Sequence, residues 1–132
     1  MWVGTAYYFW ADEIDAIRWG IKSKKNRYQI YSATIISDNV LDTVFNQEHY
    51  QFFISALERT AKTIVKLTGK KPTQMDICEY LNIRAKWKEK IDVLLACDIP
   101  TGSMEVFPIP IRKRIQAAVY NINCINEFQL KD

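Results

Sequence analysis

Two stretches of large β-forming residues lie near the ends of the chain: Gly4-Thr5-Ala6-Tyr7-Tyr8-Phe9-Trp10 and Ile115-Gln116-Ala117-Ala118-Val119-Tyr120-Asn121, the second followed by Ile125 and Phe128. Bounded by Gly4 and Asp12, the run Ala6 to Trp10 predicts a strand. The late run predicts a buried strand carrying one polar side chain, Gln116, at its start. If these strands lie side by side, the amide of Gln116 shares a cleft with an aromatic face of the early run. After Trp10 the rhythm becomes helical. Asp12 stands at an N-cap position, with Glu13 and Asp15 in the first turn, where the helix dipole favours negative charge. Ile14, Ile17 and Ile21 recur at helical spacing beside Ala16, and Lys22, Lys24 and Lys25 crowd the far end, giving a helix from about Asp12 to Ser23.

Tyr28 to Ile36 returns to β-formers and ends at the turn residues Ser37, Asp38 and Asn39, which predicts a second strand. A short apolar piece, Val40 to Phe45, ends at Asn46. The longest helical pattern then runs to about Leu67. Its expected buried stripe is Tyr50, Phe53, Leu57, Ala61, Ile64 and Val65, with Glu58, Arg59, Lys62 and Lys66 solvated and Gly69 as the stop. Thr73 opens the next helix as N-cap, and Asp76 supplies the acidic half of a capping box. Ile77, Tyr80 and Leu81 form its buried face. Past a basic segment, Arg84 to Lys90, the run Ile91 to Cys97 is apolar apart from Asp92 and predicts a central strand. Asp98 to Pro110 reads as a loop, and Arg112, Lys113 and Arg114 form a basic cluster before the final strand. The order of strands and helices predicts one α+β domain over residues 1–132, without repeat or linker.

Composition narrows the classes. The chain has 132 residues and 48% hydrophobic content, enough for one core. A net charge of +3 is too small to imply nucleic acid by itself. Three cysteines, Cys78, Cys97 and Cys124, lie in apolar runs with no CxxC pair, so the expectation is buried free thiols in a reducing, cytoplasmic setting, with no membrane partner. The single histidine, His49, opens a helix and is expected at the surface. No HExxH, P-loop or Cys/His cluster occurs, and the carboxylates are scattered, so no metal site is expected and triad, nucleotide-triphosphatase and glycosidase chemistries are poor readings.

Thr68-Gly69-Lys70-Lys71-Pro72-Thr73 through Ile77-Cys78-Glu79-Tyr80-Leu81-Asn82-Ile83 resembles the opening of a helix-turn-helix, as in bacterial sigma factors. That likeness places Arg84, Lys86, Lys88 and Lys90 on a second, DNA-reading helix. It covers a small part of the chain.

A second resemblance spans most of it. Tyr7-Tyr8-Phe9-Trp10, with Ala16 on the following helix, resembles the "G-x-G-x-Y-F" strand and helix of the ADP-ribosyltransferases, in the branch of poly(ADP-ribose) polymerases and diphtheria toxin. The sequence from Tyr28 to Ile36 and Asn39-Val40-Leu41-Asp42 follows their strand order. Ile115 to Asn121, with Ile125 and Phe128, is similar to their last motif, with Gln116 where a Glu usually stands. The resemblance implies small twisted, mostly antiparallel sheets with flanking helices, and NAD as substrate. Tyr8 would stack on nicotinamide, with Tyr7 or Trp10 as substitutes; Gly4 and Thr5 would help bind the cofactor, and Gln116 would hold the ribose. Ile91 to Cys97 would precede a substrate-recognition loop from Asp98 to Arg114, and Arg112 and Arg114 would meet a phosphate or an acidic target. The acceptor would be a protein or nucleic acid. Met1-Trp2-Val3-Gly4-Thr5 is similar to the family's "W-H-G-T" but has Val3 in place of His. The resemblance therefore implies an N-terminally shortened member, a site completed by a second subunit, or a degenerate copy that binds without turnover. Read structurally instead, Tyr7 to Trp10 is a core strand, Gln116 a strand-edge polar residue and Arg112 to Arg114 a solvated loop.

Overall fold

A computed structural model describes residues 4–25, 27–98 and 114–131. These form an α+β fold of four α-helices and two small sheets. In chain order the elements are β1 (Tyr7–Trp10), α1 (Glu13–Lys24), β2 (Tyr31–Ile35), β3 (Val40–Asp42), α2 (Gln47–Thr68), α3 (Gln74–Ile83), α4 (Trp87–Lys90), β4 (Val93–Asp98), β5 (Arg114–Val119) and β6 (Ile125–Leu130). The larger sheet has the order β1-β5-β4-β3, antiparallel except for the parallel pair β3 and β4. Strands β2 and β6 pair antiparallel as a separate ribbon.

The larger sheet forms a middle layer. In β4 and β5 consecutive residues, Val93 with Leu94 and Ala118 with Val119, are all almost completely buried. Adjacent strand residues point to opposite faces, so both faces of the sheet must be covered. On one face Leu94 and Ala118 pack with Leu41, Phe53, Ala56, Cys78, Leu81 and Trp87, contributed mainly by the helices. Phe53 and Trp87 meet edge to face with centroids 5.6 Å apart. On the other face Val93 and Val119 pack with Cys124, Phe9, Ile35 and Ile125, bringing the β2–β6 ribbon against the sheet. This two-sided burial accounts for the nearly unbroken apolar runs of β4 and β5.

Asp92, the polar interruption before β4, ties three segments together. Its carboxylate accepts from Ser37 Oγ at 2.9 Å and Asn121 Nδ2 at 3.3 Å, and its carbonyl accepts from the Tyr120 N–H at 2.8 Å. Asn121 then turns the chain, its side chain accepting the Asn123 N–H, into a single 3-10 turn and β6. Thr73 and Asp76 form a reciprocal capping box at α3. The hydrogen bonds from the Thr73 backbone N–H and then its side chain hold the Asp76 carboxyl below its ordinary pKa. Gly69, with φ of 70°, ends α2 and donates to Val65 O.

Several expectations are corrected. In α1 Ile14 and Ile21 are exposed, while Asp15 and Gly20 are buried. The helix approaches its neighbours through small residues, Gly20 lying directly against the Tyr28 ring, and this turns the isoleucines outward. Asp12 occupies the N-cap position of α1 but its side chain makes no capping hydrogen bond. In α2 the buried positions are Phe53, Ala56 and Thr60; Tyr50 and Val65, expected inside, are exposed. The piece at Val40 is a short strand, because it has β4 beside it to pair with. Cys97 is exposed, whereas Cys78 and Cys124 are buried; all three are free thiols. Burial, then the charge of Glu79, pushes the Cys78 thiol up to about 11. His49 is half-buried, and its Nδ1 accepts the Asp42 N–H at 3.0 Å. Among the described residues no helix is long and apolar enough to cross a membrane.

Candidate functional site

β1 and β5 lie side by side, with Trp10 opposite Gln116, Phe9 opposite Ala117, Tyr8 opposite Ala118 and Tyr7 opposite Val119. Directly opposed residues on an antiparallel pair share a face. Tyr8, Trp10, Gln116 and Arg114 therefore belong to the helix-covered face, and Tyr7 and Phe9 to the face toward the β2–β6 ribbon. The packing agrees: Tyr8 lies against the helix-side core and Phe9 against the ribbon-side core.

Each candidate has a definite environment. The Arg114 guanidinium stands 4.8 Å from the centroid of the Trp10 ring. Such a cation–π contact contributes about 0.5–2 kcal/mol depending on how dry it is. The Tyr8 hydroxyl donates to Gly4 O, tying down a ring that is already packed against the core. Gly4 is buried with φ of 92°, close against the Asn82 amide on α3, and Thr5 beside it is exposed. Tyr120 lies on the same side, and burial, followed by its neighbour Tyr8, raises its phenol pKa well above the ordinary value. Of the recognition loop expected from Asp98 to Arg114, the two end residues are instead paired strand positions of β4 and β5, and residues 99–113, Arg112 among them, lie outside the described residues.

An open cleft of about 1010 Å³ runs between α1, the larger sheet and the ribbon. Phe9, Val93, Leu95 and Ala117 form its sheet side; Ala16, Trp19 and Gly20 come from α1, and Tyr28, Tyr31 and Phe128 from the segments around the ribbon. Tyr31 and Phe128 are stacked, 5.0 Å apart and 4° from parallel. Tyr7 borders it from the same face, and Tyr8, Trp10 and Gln116 border it from strand positions whose side chains alternate to the helix-covered face. Glu13 and Lys131, joined by a 2.7 Å ion pair, are the one acid and the one base among its described lining residues. The arrangement offers flat apolar surfaces, an amide and little charge. That suits a planar ring better than an isolated anion.

The comparisons with known proteins return nothing: no family model, curated protein or solved structure matches this chain.

The structure thus brings Tyr7 to the cleft face, sets Tyr8, Trp10 and Gln116 at its border on the opposite face of the same strands with Arg114 beside Trp10, and leaves Gly4 apart, near α3, and Thr5 outside the cleft lining. Sequence reasoning missed Trp19, Tyr28 and Tyr31 as lining residues. Their common signal was aromatic content without a place in a core stripe. No group of three or more His, Cys, Asp and Glu side chains suited to a metal ion occurs among the described residues. The helix-turn-helix likeness is corrected in its second half. After α3 comes only the one-turn α4, whose Trp87 is buried in the core, so Lys86, Lys88 and Lys90 lie on no helix long enough to enter a major groove.

Proposed function

We propose that this chain is an ADP-ribosyltransferase-like domain whose aromatic cleft takes NAD. The observation that carries this reading is the register of β1 on β5, which sets Trp10, the last residue of β1, directly across from Gln116 on strands whose other face walls a cleft with room for a dinucleotide. The pair is reached from the cleft around the end of β1. Trp10 takes the stacking place that the resemblance gave to Tyr8, because the Tyr8 ring is packed and its hydroxyl is engaged. Gln116 holds the ribose hydroxyls, its amide both donating and accepting. Arg114, at the side of Trp10, meets the pyrophosphate or an acidic acceptor, with Arg112 as its partner in that role.

Cleavage of the nicotinamide–ribose bond develops positive charge on the sugar, and a neutral amide stabilises that charge less than a carboxylate does. The cleft binds NAD, and a slow transfer to a protein or nucleic acid in the cytoplasm, with or without a second subunit, follows from that binding. Calorimetry with NAD tests it. The expected result is saturable binding to the wild type that weakens about tenfold in Trp10→Ala, the scale of one lost aromatic contact. Release of free nicotinamide on incubation then marks an enzyme, and binding without release marks the non-catalytic copy. No heat of binding at millimolar NAD sinks both forms of the proposal.

A further inference from the structure

Between β3 and helices α2, α3 and α4 lies a second cavity, of about 340 Å³, which shares only Val40 with the aromatic cleft. Its walls are apolar, including Leu41, Phe52, Ala56, Leu81 and Ile91. On its polar side several donors stand without an acceptor among the described residues.

His49 lines the cavity, and its Nδ1 accepts the Asp42 N–H. The neutral ring must then carry its proton on Nε2, as a donor, and no described residue accepts from that nitrogen. Trp87 also lines the cavity. It is more than nine-tenths buried, and its Nε1–H meets no acceptor among the described residues. Asn39 spends one amide hydrogen on Lys90 O. The Lys90 side chain makes no ion pair among the described residues, and no carboxylate lines the cavity. A buried donor left without an acceptor costs about 1–3 kcal/mol. An apolar pocket with unmet donors and a cation at its edge is complementary to an apolar molecule ending in an anionic acceptor.

We propose that this cavity binds a small apolar carboxylate. Its hydrocarbon part fills the space between Phe52, Ala56 and Leu81, and its carboxylate accepts from His49 Nε2–H and faces Lys90. A carboxylate brings about four lone-pair positions and a negative charge to these donors, where a hydroxyl brings two and no charge. Neutral alcohols of the same length therefore bind more weakly. The site is independent of the NAD proposal and involves none of its residues.

The test is an ¹⁵N NMR titration of the full chain with hexanoate and, separately, 1-hexanol. The expected result is that hexanoate saturably shifts the Trp87 indole N–H and the ring signals of His49. Lys90→Gln, an exposed position on a one-turn helix, weakens hexanoate by about tenfold, the scale of one charge-assisted contact, and leaves 1-hexanol unchanged. Equal affinity for acid and alcohol overturns the proposal. So do an unchanged hexanoate affinity in Lys90→Gln, shifts confined to the aromatic cleft, or no shift at tens of millimolar hexanoate.

Discussion

Gly20→Ala pits two opposed effects against each other at a position that shapes the aromatic cleft. Alanine is the better helix former by about 1 kcal/mol, so on an open helix face the substitution stabilises. Here a Cβ on Gly20 comes within 2.6 Å of Tyr28 Cγ and 2.7 Å of both Cδ atoms. Cγ lies on the axis of ring rotation and stays where it is, and a rotation that takes one Cδ away brings the other closer. Relief needs either a change of the Tyr28 χ1 angle or displacement of α1. Overpacking of this kind costs about 1–3 kcal/mol, so the net effect is a loss of about 1 kcal/mol. Urea denaturation followed by circular dichroism then shows a midpoint lower by about 0.5 M. In a Tyr28→Ala background the clash is gone, and the same Gly20→Ala change becomes stabilising. A Gly20→Ala variant more stable than the wild type, or the same sign in both backgrounds, refutes the close packing of α1 on Tyr28 and with it the shape given to the cleft.

Other expectations follow from the same contacts. Asp92→Ala strands the Ser37 hydroxyl and the Asn121 amide and lowers stability by about 1–3 kcal/mol, read from the thermal midpoint. Thr73→Ala removes the capping box and destabilises at neutral pH. Because the folded-state pKa of Asp76 is depressed, its contribution is full above 3.8 and is lost as pH falls through the lower folded value, so the gap between variant and wild type closes in acid. In a thiol-labelling time course at pH 8, exposed Cys97 reacts first. Cys78, its thiol pushed up to about 11 by burial, reacts only on the timescale of unfolding.

The parts of the fold that were legible in the sequence are those set by local chemistry. Thr73 with Asp76, Gly69 and the unbroken runs of β4 and β5 each carry a cap, a stop or a two-sided burial pattern in a few residues. The orientation of helices was not legible. Spacing put Ile14, Ile17 and Ile21 on one side of α1, but nothing local said that Gly20 would meet Tyr28 and turn that side outward. β6 escaped because its signal is weak: only the Asn121 turn, held by Asp92 from a distant segment, separates it from β5. The strand pair β1–β5 and the cleft beside Gln116 could be anticipated from two runs of similar character. The aromatic wall opposite, Trp19, Tyr28 and Tyr31, exists only once α1 and the ribbon are folded over the sheet. Which tyrosine is available was likewise a matter of packing, since the Tyr8 hydroxyl is committed to the Gly4 carbonyl.

The most direct test of the central claim is where NAD lands on the folded chain. In an ¹⁵N-labelled sample titrated with NAD, the account predicts saturable shifts of the Trp10 and Trp19 indole N–H and the Gln116 side-chain amide, with Trp87 unmoved. Millimolar NAD that leaves Trp10 and Gln116 unshifted, or that moves only signals remote from the cleft, contradicts it.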